Sequence, residues 1–123
     1  MVPKLARVGQ VMVGLVALFM VFDGVIHIMR IAAVVEAFAQ LGYPMGTAVP
    51  MGLLELACVA LLLVPRTRLV GAILLTGYLG GATAAQLRIG APAFPQLFPA
   101  LVGALLWAGL WLSDSRTRAI FRF

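Results

Sequence analysis

Four long apolar runs constrain this chain more than any other feature. They cover about residues 8–29, 45–64, 69–87 and 94–112. Each has roughly 18–22 residues, enough for a helix rising 1.5 Å per residue to cross a hydrocarbon core of about 30 Å. Hydrophobic residues make up 63% of the chain and charged residues only 11%, a composition that excludes an ordinary soluble domain. The sequence therefore predicts one all-α integral membrane domain over residues 1–123, a four-helix bundle with antiparallel neighbours.

The basic residues predict which way this bundle faces. Both termini and the turn between the second and third runs share one side, which holds Lys4, Arg7, Arg66, Arg68, Arg116, Arg118 and Arg122. The other side holds only Arg30 and Arg88. Basic residues concentrate on the cytoplasmic side of membrane proteins. We therefore expect a multi-pass protein of the cytoplasmic (inner) membrane with both termini in the cytoplasm, and no nucleic-acid partner.

The first run also resembles a signal peptide, since Lys4 and Arg7 precede it. Its apolar stretch is long, and no small-x-small cleavage site follows Phe22. Signal peptides have apolar regions of about 7–15 residues followed by such a site. We expect the run to be retained as a membrane helix.

A shorter pattern between the first and second runs predicts a surface helix. Apolar residues recur there at helical spacing, at Ile31, Val34, Val35, Phe38 and Leu41. Glu36 and Gln40 occupy the opposite side. This amphipathic arrangement is typical of a helix lying along a membrane surface. We expect a short helix on the outer surface, ended by Gly42, Tyr43 and Pro44.

The spacing of glycines on the third run suggests how the helices pack. Gly77 and Gly81 form a GxxxG spacing on the third run, which favours close helix contact within the bundle or across a homo-oligomer interface. Glycine is also simply common in membrane helices.

Cys58, the only cysteine, lies in an apolar run, which excludes an intramolecular disulfide and a multi-cysteine metal site.

Four polar side chains stand inside the apolar runs, Asp23, His27, Glu55 and Gln86. Such groups cost several kcal/mol in a bilayer and by default mark ligand sites or proton paths. Asp23 and His27 are four residues apart and therefore share a helix face. Because successive runs cross the bilayer in opposite directions, the position of each side chain along its run gives its depth. All four lie at compatible depths in the outer half of the bilayer. The sequence therefore predicts one polar pocket lined by the first three membrane helices.

Roles in this pocket follow from chemistry. Acid/base work is assigned to Asp23, His27 and Glu55, because these groups exchange protons near neutral pH. Ligand contacts are assigned to Tyr78, Thr83, Gln86 and Arg88. No metal site is predicted, although His27 stays open as the single axial ligand of a haem. The alternative is that Asp23–His27 and Glu55–Arg88 are internal pairs that only fix helix register.

Eight segments, spread over nearly the whole chain, resemble one known family. They are FDGVIH at 22–27, VVEA at 34–37, LGYP at 41–44, GLLEL at 52–56, VPRT at 64–67, GAILLTGYLGGA at 71–82, LRIG at 87–90 and WLSDSR at 111–116. Together they are similar to the DoxX-like family of small bacterial four-helix membrane proteins. His27 stands where that family often has lysine, and Gln86 where it often has histidine. The resemblance implies the four-helix fold and a link to membrane redox systems, because the family name derives from a membrane subunit of a thiosulfate:quinone oxidoreductase.

Three functions remain open at this point. The first is a binding or accessory subunit that holds a lipophilic molecule such as a quinone and docks a redox partner protein. The second is a stand-alone acid/base enzyme that isomerises a lipophilic substrate or opens an epoxide. The third is a purely structural membrane protein. A proton conductor is disfavoured, because residues 11–22 and 61–64 offer no polar steps through the cytoplasmic half.

Overall fold

The computed structural model describes residues 3–122 as a series of helices. The α-helices are α1 (Pro3–Met29), α2 (Ala32–Leu41), α3 (Ala48–Leu63), α4 (Arg68–Arg88), α5 (Ala93–Ser113) and α6 (Ser115–Ile120). Short 3₁₀ turns at Met45–Thr47 and Pro65–Thr67 precede α3 and α4. These described residues contain no β-strand. The predicted all-α fold is confirmed.

Four helical segments are long and apolar enough to cross a membrane. They are Pro3–Met29, Met45–Leu63, Pro65–Arg88 and Ala93–Ser113. The first begins well before its apolar run, because α1 continues through Lys4 and Arg7. An α-helix keeps its backbone hydrogen-bonded beyond the hydrocarbon core as well as within it. Helical structure therefore extends further than the hydrophobic pattern alone indicates.

The long helices form a square bundle. α1 packs against α3 and α5, and α4 packs against the same two helices. Consecutive helices therefore sit side by side and run antiparallel, as short connections require. The shared core is filled by large side chains that are almost fully buried, namely Met20, Leu62, Leu75, Leu106 and Leu110.

Glycines set the closest helix contacts. A Cβ on Gly71 would lie 2.4 Å from the Leu62 nitrogen, so α4 meets the α3 backbone there. On the other side of the bundle, a Cβ on Gly9 would lie 2.5 Å from the Gly109 carbonyl oxygen. A Cβ on Gly77 or Gly81 would meet nothing within 4 Å. The expected close contact at Gly77 and Gly81 is therefore not made within the described residues, because α4 turns Gly71 toward α3 instead.

Helix α2 folds back over one end of the bundle, where α1 and α4 end and α3 and α5 begin. This end is called the α2 end below. Val34 and Phe38 are buried there against α1 and the start of α3, whereas Val35 is 44% exposed. Gly42 ends α2 with a φ of +79°, a left-handed conformation that glycine adopts without strain. Arg88 donates a hydrogen bond to the Leu41 carbonyl, which joins the end of α4 to the end of α2.

Helix α6 closes the opposite end. The Asp114 carboxylate accepts from the Arg116 backbone nitrogen at 2.9 Å and so caps α6. It also forms an ion pair with the Arg116 guanidinium at 2.8 Å. Arg116 donates further to the Pro65 carbonyl at 2.7 Å. One arginine therefore links α6 to the turn between α3 and α4.

The glycine contacts predict opposite effects for two Gly→Ala substitutions. Gly71→Ala should lower the free energy of unfolding by about 3 kcal/mol, because its methyl group overlaps backbone atoms that cannot move independently. Gly14→Ala should raise it by up to about 1 kcal/mol, since alanine favours a helix interior and a Cβ there meets nothing within 4 Å. Unfolding of both variants by SDS titration in mixed micelles measures the difference. Equal stability of the two variants would contradict the packing at Gly71.

The Asp114 cap predicts a pH-dependent contribution to stability. The hydrogen bond donated by the Arg116 side chain lowers the pKa of Asp114. A carboxyl group with a lowered pKa stabilises the fold fully above its ordinary pKa of about 3.9, and this stabilisation is lost as pH falls through the folded value. Wild type should exceed Asp114→Asn by up to about 1 kcal/mol at pH 6. The difference should shrink as pH falls below about 3.9 in thermal unfolding experiments.

Glu36→Gln is the control for this experiment, because it removes an exposed carboxylate from α2. It should show no comparable pH-dependent difference. A wild-type advantage over Asp114→Asn that persists unchanged at pH 3 would show that the Asp114 charge is not its source.

Candidate functional site

The site begins with a close contact between α1 and α3. A Cβ on Gly24 would lie 2.9 Å from the Leu56 side chain. A Cβ on Gly52 would lie 2.6 Å from the Gly24 carbonyl oxygen and 3.1 Å from the His27 Cβ. The two helices therefore meet backbone to backbone at this level. Side chains that flank the contact are held against one another.

Three of these flanking side chains form a cluster, Asp23 and His27 from α1 and Glu55 from α3. One potential ligand atom from each residue lies within 4.8 Å of those of the other two. The Asp23–His27–Glu55 cluster thus unites residues that are 32 positions apart in the sequence. The depth comparison made from the sequence placed these same residues at one level.

The hydrogen bonding of His27 defines its tautomer. Its Nδ1 lies 2.6 Å from the Asp23 carbonyl oxygen and 3.4 Å from Asp23 Oδ2. A carbonyl oxygen can only accept, so Nδ1 must carry the proton. In the neutral ring, Nε2 then keeps a free lone pair. The ring is further held by an edge-to-face contact with Phe38, with ring centroids 5.5 Å apart.

Glu55 is the most unusual residue of the cluster. Its exposed fraction is 0%, and neither carboxylate oxygen has a hydrogen-bond partner among the described residues. Within residues 3–122, ion pairs within 4.0 Å join only His27 to Asp23 and Arg116 to Asp114. The expected Glu55–Arg88 pair is therefore not formed, because Arg88 donates to Leu41. A buried polar group without a partner costs about 1–3 kcal/mol and calls for an explanation.

A cavity of about 420 Å³ opens beside the cluster, a volume within the range of small-molecule sites. Most of its lining is apolar, including Phe19, Met51, Leu54, Leu79 and Val102. The polar lining residues are Asp23, His27, Tyr43, Glu55, Tyr78 and Gln86. These six polar residues are called the polar wall below. The cavity suits a mostly apolar molecule with a few oxygen or nitrogen atoms.

The residues assigned to ligand contact separate into two groups. Tyr78 and Gln86 border the cavity, as the assignment requires. Thr83 instead donates to the Leu79 carbonyl at 3.0 Å and borders a second groove beside Trp107. Arg88 lies outside the cavity lining and holds the end of α2. The structure thus brings five of the seven assigned residues to one cavity.

Several lining residues escaped sequence reasoning. Phe38 and Leu41 of α2 and Phe98 and Pro99 of α5 also border the cavity. Apolar side chains carry no signal that distinguishes a cavity wall from packed core. Pro99 did carry one, because proline inside a helix leaves a carbonyl without its usual donor. Gly77 and Gly81 also border the cavity, where their missing side chains leave space rather than a helix contact.

Comparison with known proteins gives one match. A family model described as the DoxX-like family matches residues 11–109. This range contains every residue that borders the cavity, from Phe19 to Val102. No curated protein and no solved structure matches the chain.

The isolation of Glu55 predicts that an apolar replacement stabilises the protein. Glu55→Met keeps a similar length and removes two unpartnered oxygens, so the free energy of unfolding should rise by about 1–3 kcal/mol. The matched change Glu36→Met, on the exposed side of α2, should stay within about 0.5 kcal/mol. SDS-induced unfolding of both variants tests this. A loss of stability in Glu55→Met would support the register-fixing role instead.

Proposed function

This chain belongs to the DoxX-like family of membrane proteins, and from this and its cavity we propose that it binds a lipophilic small molecule of the quinone class. It does so as a subunit or accessory of a membrane redox system. The observation that carries the proposal is a cavity of about 420 Å³ in an apolar bundle, mostly apolar in its lining but including the six residues of the polar wall.

The polar wall matches both redox forms of a quinone. The Tyr78 hydroxyl and the Gln86 amide are donors for the carbonyl oxygens of the oxidised ring. The His27 Nε2 lone pair and the carboxylates of Asp23 and Glu55 are acceptors for the hydroxyl groups of the reduced ring. The remaining lining is apolar and suits the ring faces and the start of a lipid tail.

The acid/base groups also supply a route for protons. Reduction of a quinone to a quinol consumes two electrons and two protons. The electrons come from a redox partner protein in this proposal. The protons pass through the Asp23–His27–Glu55 cluster, whose members lie within reach of one another and are of the types that transfer protons in proteins.

The proposal includes an orientation. Seven of the nine Lys and Arg residues lie on the side shared by both termini and the turn at Pro65–Thr67. We place this side in the cytoplasm because of that imbalance. The cavity then lies in the outer half of the inner membrane, covered by α2. This orientation is independent of the identity of the ligand.

A cavity-filling substitution tests ligand binding. A Cβ on Gly81 meets nothing within 4 Å, so Gly81→Phe can be accommodated and should occupy the space used by the ligand. Decylubiquinone at about 100 times its Kd should stabilise wild type by about 2.7 kcal/mol. It should stabilise Gly81→Phe by less than about 1 kcal/mol. Unfolding in nanodiscs, with and without the quinone, gives both values.

Gly14→Phe is the matched control, because Gly14 also has open space around it but does not border the cavity. It should respond to decylubiquinone as wild type does. If decylubiquinone stabilises Gly81→Phe and Gly14→Phe equally, quinone binds outside this cavity. If decylubiquinone fails to stabilise wild type, the quinone proposal is overturned.

The cluster also favours a second candidate, an acid/base enzyme acting on a lipophilic substrate. Two carboxyl groups and one imidazole beside an apolar cavity are the parts needed to remove a proton next to a carbonyl group and return it elsewhere. In D₂O, wild type should then speed deuterium incorporation into a lipophilic enone by about 100-fold or more. Glu55→Gln should lose this acceleration and Glu36→Gln should retain it. Exchange at the background rate in wild type would exclude this activity for the enone class.

A further inference from the structure

We propose that the Asp23–His27–Glu55 cluster binds one divalent transition-metal ion of the zinc type at the polar wall of the cavity. This inference goes beyond quinone binding and does not depend on it; with the ion bound, the three side chains would coordinate the ion instead of accepting from a quinol or carrying its protons. It rests on the geometry of three side chains, on the isolation of Glu55 and on the charge of the site.

The geometry brings together ligand atoms that metal ions use. Asp23, His27 and Glu55 each offer one ligand atom within 4.8 Å of those of the other two. Ligand atoms on a tetrahedral zinc lie about 3.4 Å apart, given bonds near 2.1 Å. The ligand atoms therefore need to come closer to one another by at most about 1.4 Å to reach the zinc spacing. The backbone contact between Gly24 and Gly52 holds the two helices at the necessary distance.

The hydrogen bond of His27 is of the kind that metal-bound histidines make. Such residues almost always donate their other ring nitrogen to a carboxylate or a carbonyl oxygen. His27 Nδ1 donates to the Asp23 carbonyl at 2.6 Å, so Nε2 is the ring nitrogen whose lone pair is free for a metal ion. This hydrogen bond fixes both the tautomer and the plane of the ring before any ion arrives.

Glu55 supplies the second, independent observation. It is fully buried on α3, it borders the cavity, and both of its oxygens lack a partner among the described residues. A metal ion bound between α1 and α3 would occupy at least one of those oxygens. Coordination of the ion would then explain why a carboxylate is buried here without a hydrogen-bond partner.

Charge balance favours a dication. Asp23 and Glu55 contribute two carboxylates, and within residues 3–122 no Lys or Arg lies within 4.0 Å of either. Arg88 donates to the Leu41 carbonyl instead. Two carboxylates and a neutral imidazole around a divalent ion sum to zero charge. A neutral site is the arrangement that a low-dielectric surrounding tolerates best.

The donor set indicates which ions fit. One imidazole nitrogen and two carboxylate oxygens are ligands that zinc accepts, and three protein ligands leave a fourth position open. Because all three side chains border the cavity, a carbonyl or hydroxyl oxygen of a bound molecule would be the candidate for that fourth position. Mg²⁺ and Ca²⁺ prefer six or more oxygen ligands, whereas this cluster includes an imidazole nitrogen, a ligand that suits Zn²⁺ better.

Metal binding to purified protein tests this inference. The chain is purified in detergent on a tag without histidine, stripped with EDTA and titrated with Zn²⁺ by calorimetry. Bound Zn²⁺ is then counted by mass spectrometry after gel filtration. Wild type should retain one Zn²⁺ per chain. Glu55→Gln and His27→Gln should each weaken binding by about 100-fold or more, and the control Glu36→Gln should bind as wild type does.

Co²⁺ binding gives a spectroscopic measurement on wild type itself, which does not depend on whether the variants fold without metal. Its visible spectrum reports coordination number, so wild type should show the intense bands of a four-coordinate ion, and His27→Gln should lose or shift them. Wild type that is folded by circular dichroism and binds no Zn²⁺ would overturn the inference. So would Glu55→Gln and His27→Gln that bind with unchanged affinity.

Gly81→Phe separates this inference from the proposed function. Gly81 borders the cavity but is not a member of the cluster. The variant should lose decylubiquinone and keep Zn²⁺. Zn²⁺ binding without quinone binding in wild type would support the metal site and reject the quinone. The reverse result would reject the metal site alone.

Discussion

The close contact of α1 and α3 at Gly24 and Gly52 is the constraint on which the candidate site depends. Because neither position has a side chain, the backbones approach until a Cβ would overlap the opposite carbonyl oxygen. Asp23 and His27 flank one glycine, and Glu55 follows the other by three positions. A wider separation, as between helices that pack through leucines, would leave the three polar groups too far apart to act together.

The same bundle is tight in some places and open in another. Gly9 with Gly109 and Gly71 with Leu62 bring other helix pairs into backbone contact. At the α2 end, α4 instead presents Gly77 and Gly81 with nothing within 4 Å. Empty volume inside a bundle forgoes packing energy, and a buried unpartnered acid adds a further cost. The cavity and the unpartnered Glu55 both lower the stability of the fold in the same region. Proteins retain such destabilising features mainly at functional sites.

Sequence reasoning reached the architecture and the membership of the cluster but not all of its surroundings. Run length and basic residues define the spans, and counting along each run gives depth, which is why Asp23, His27 and Glu55 could be grouped. The rotation of each helix about its own axis cannot be obtained in this way. Periodicity relates residues on one helix, whereas the face that each helix turns inward depends on all four together. For that reason Thr83 faces a second groove and Gly77 faces the cavity. The reach of Arg88 to Leu41 likewise depends on where α2 folds.

The distribution of filled and open space also bears on the kind of function. Leu62, Leu106 and Leu110 are 0% exposed and lie in the half of the bundle beyond the cluster, toward the turn at Pro65–Thr67 and the end of α5. A conducting path needs polar steps through the whole hydrocarbon region, and these side chains interrupt it. The cluster is therefore closed off from the opposite end of the bundle, whereas its cavity is bordered by exposed residues such as Leu54 and Gly81. One-sided access suits a group that exchanges a ligand, a proton or a metal ion with one membrane face or leaflet, and it separates binding or catalysis from transport across the bilayer.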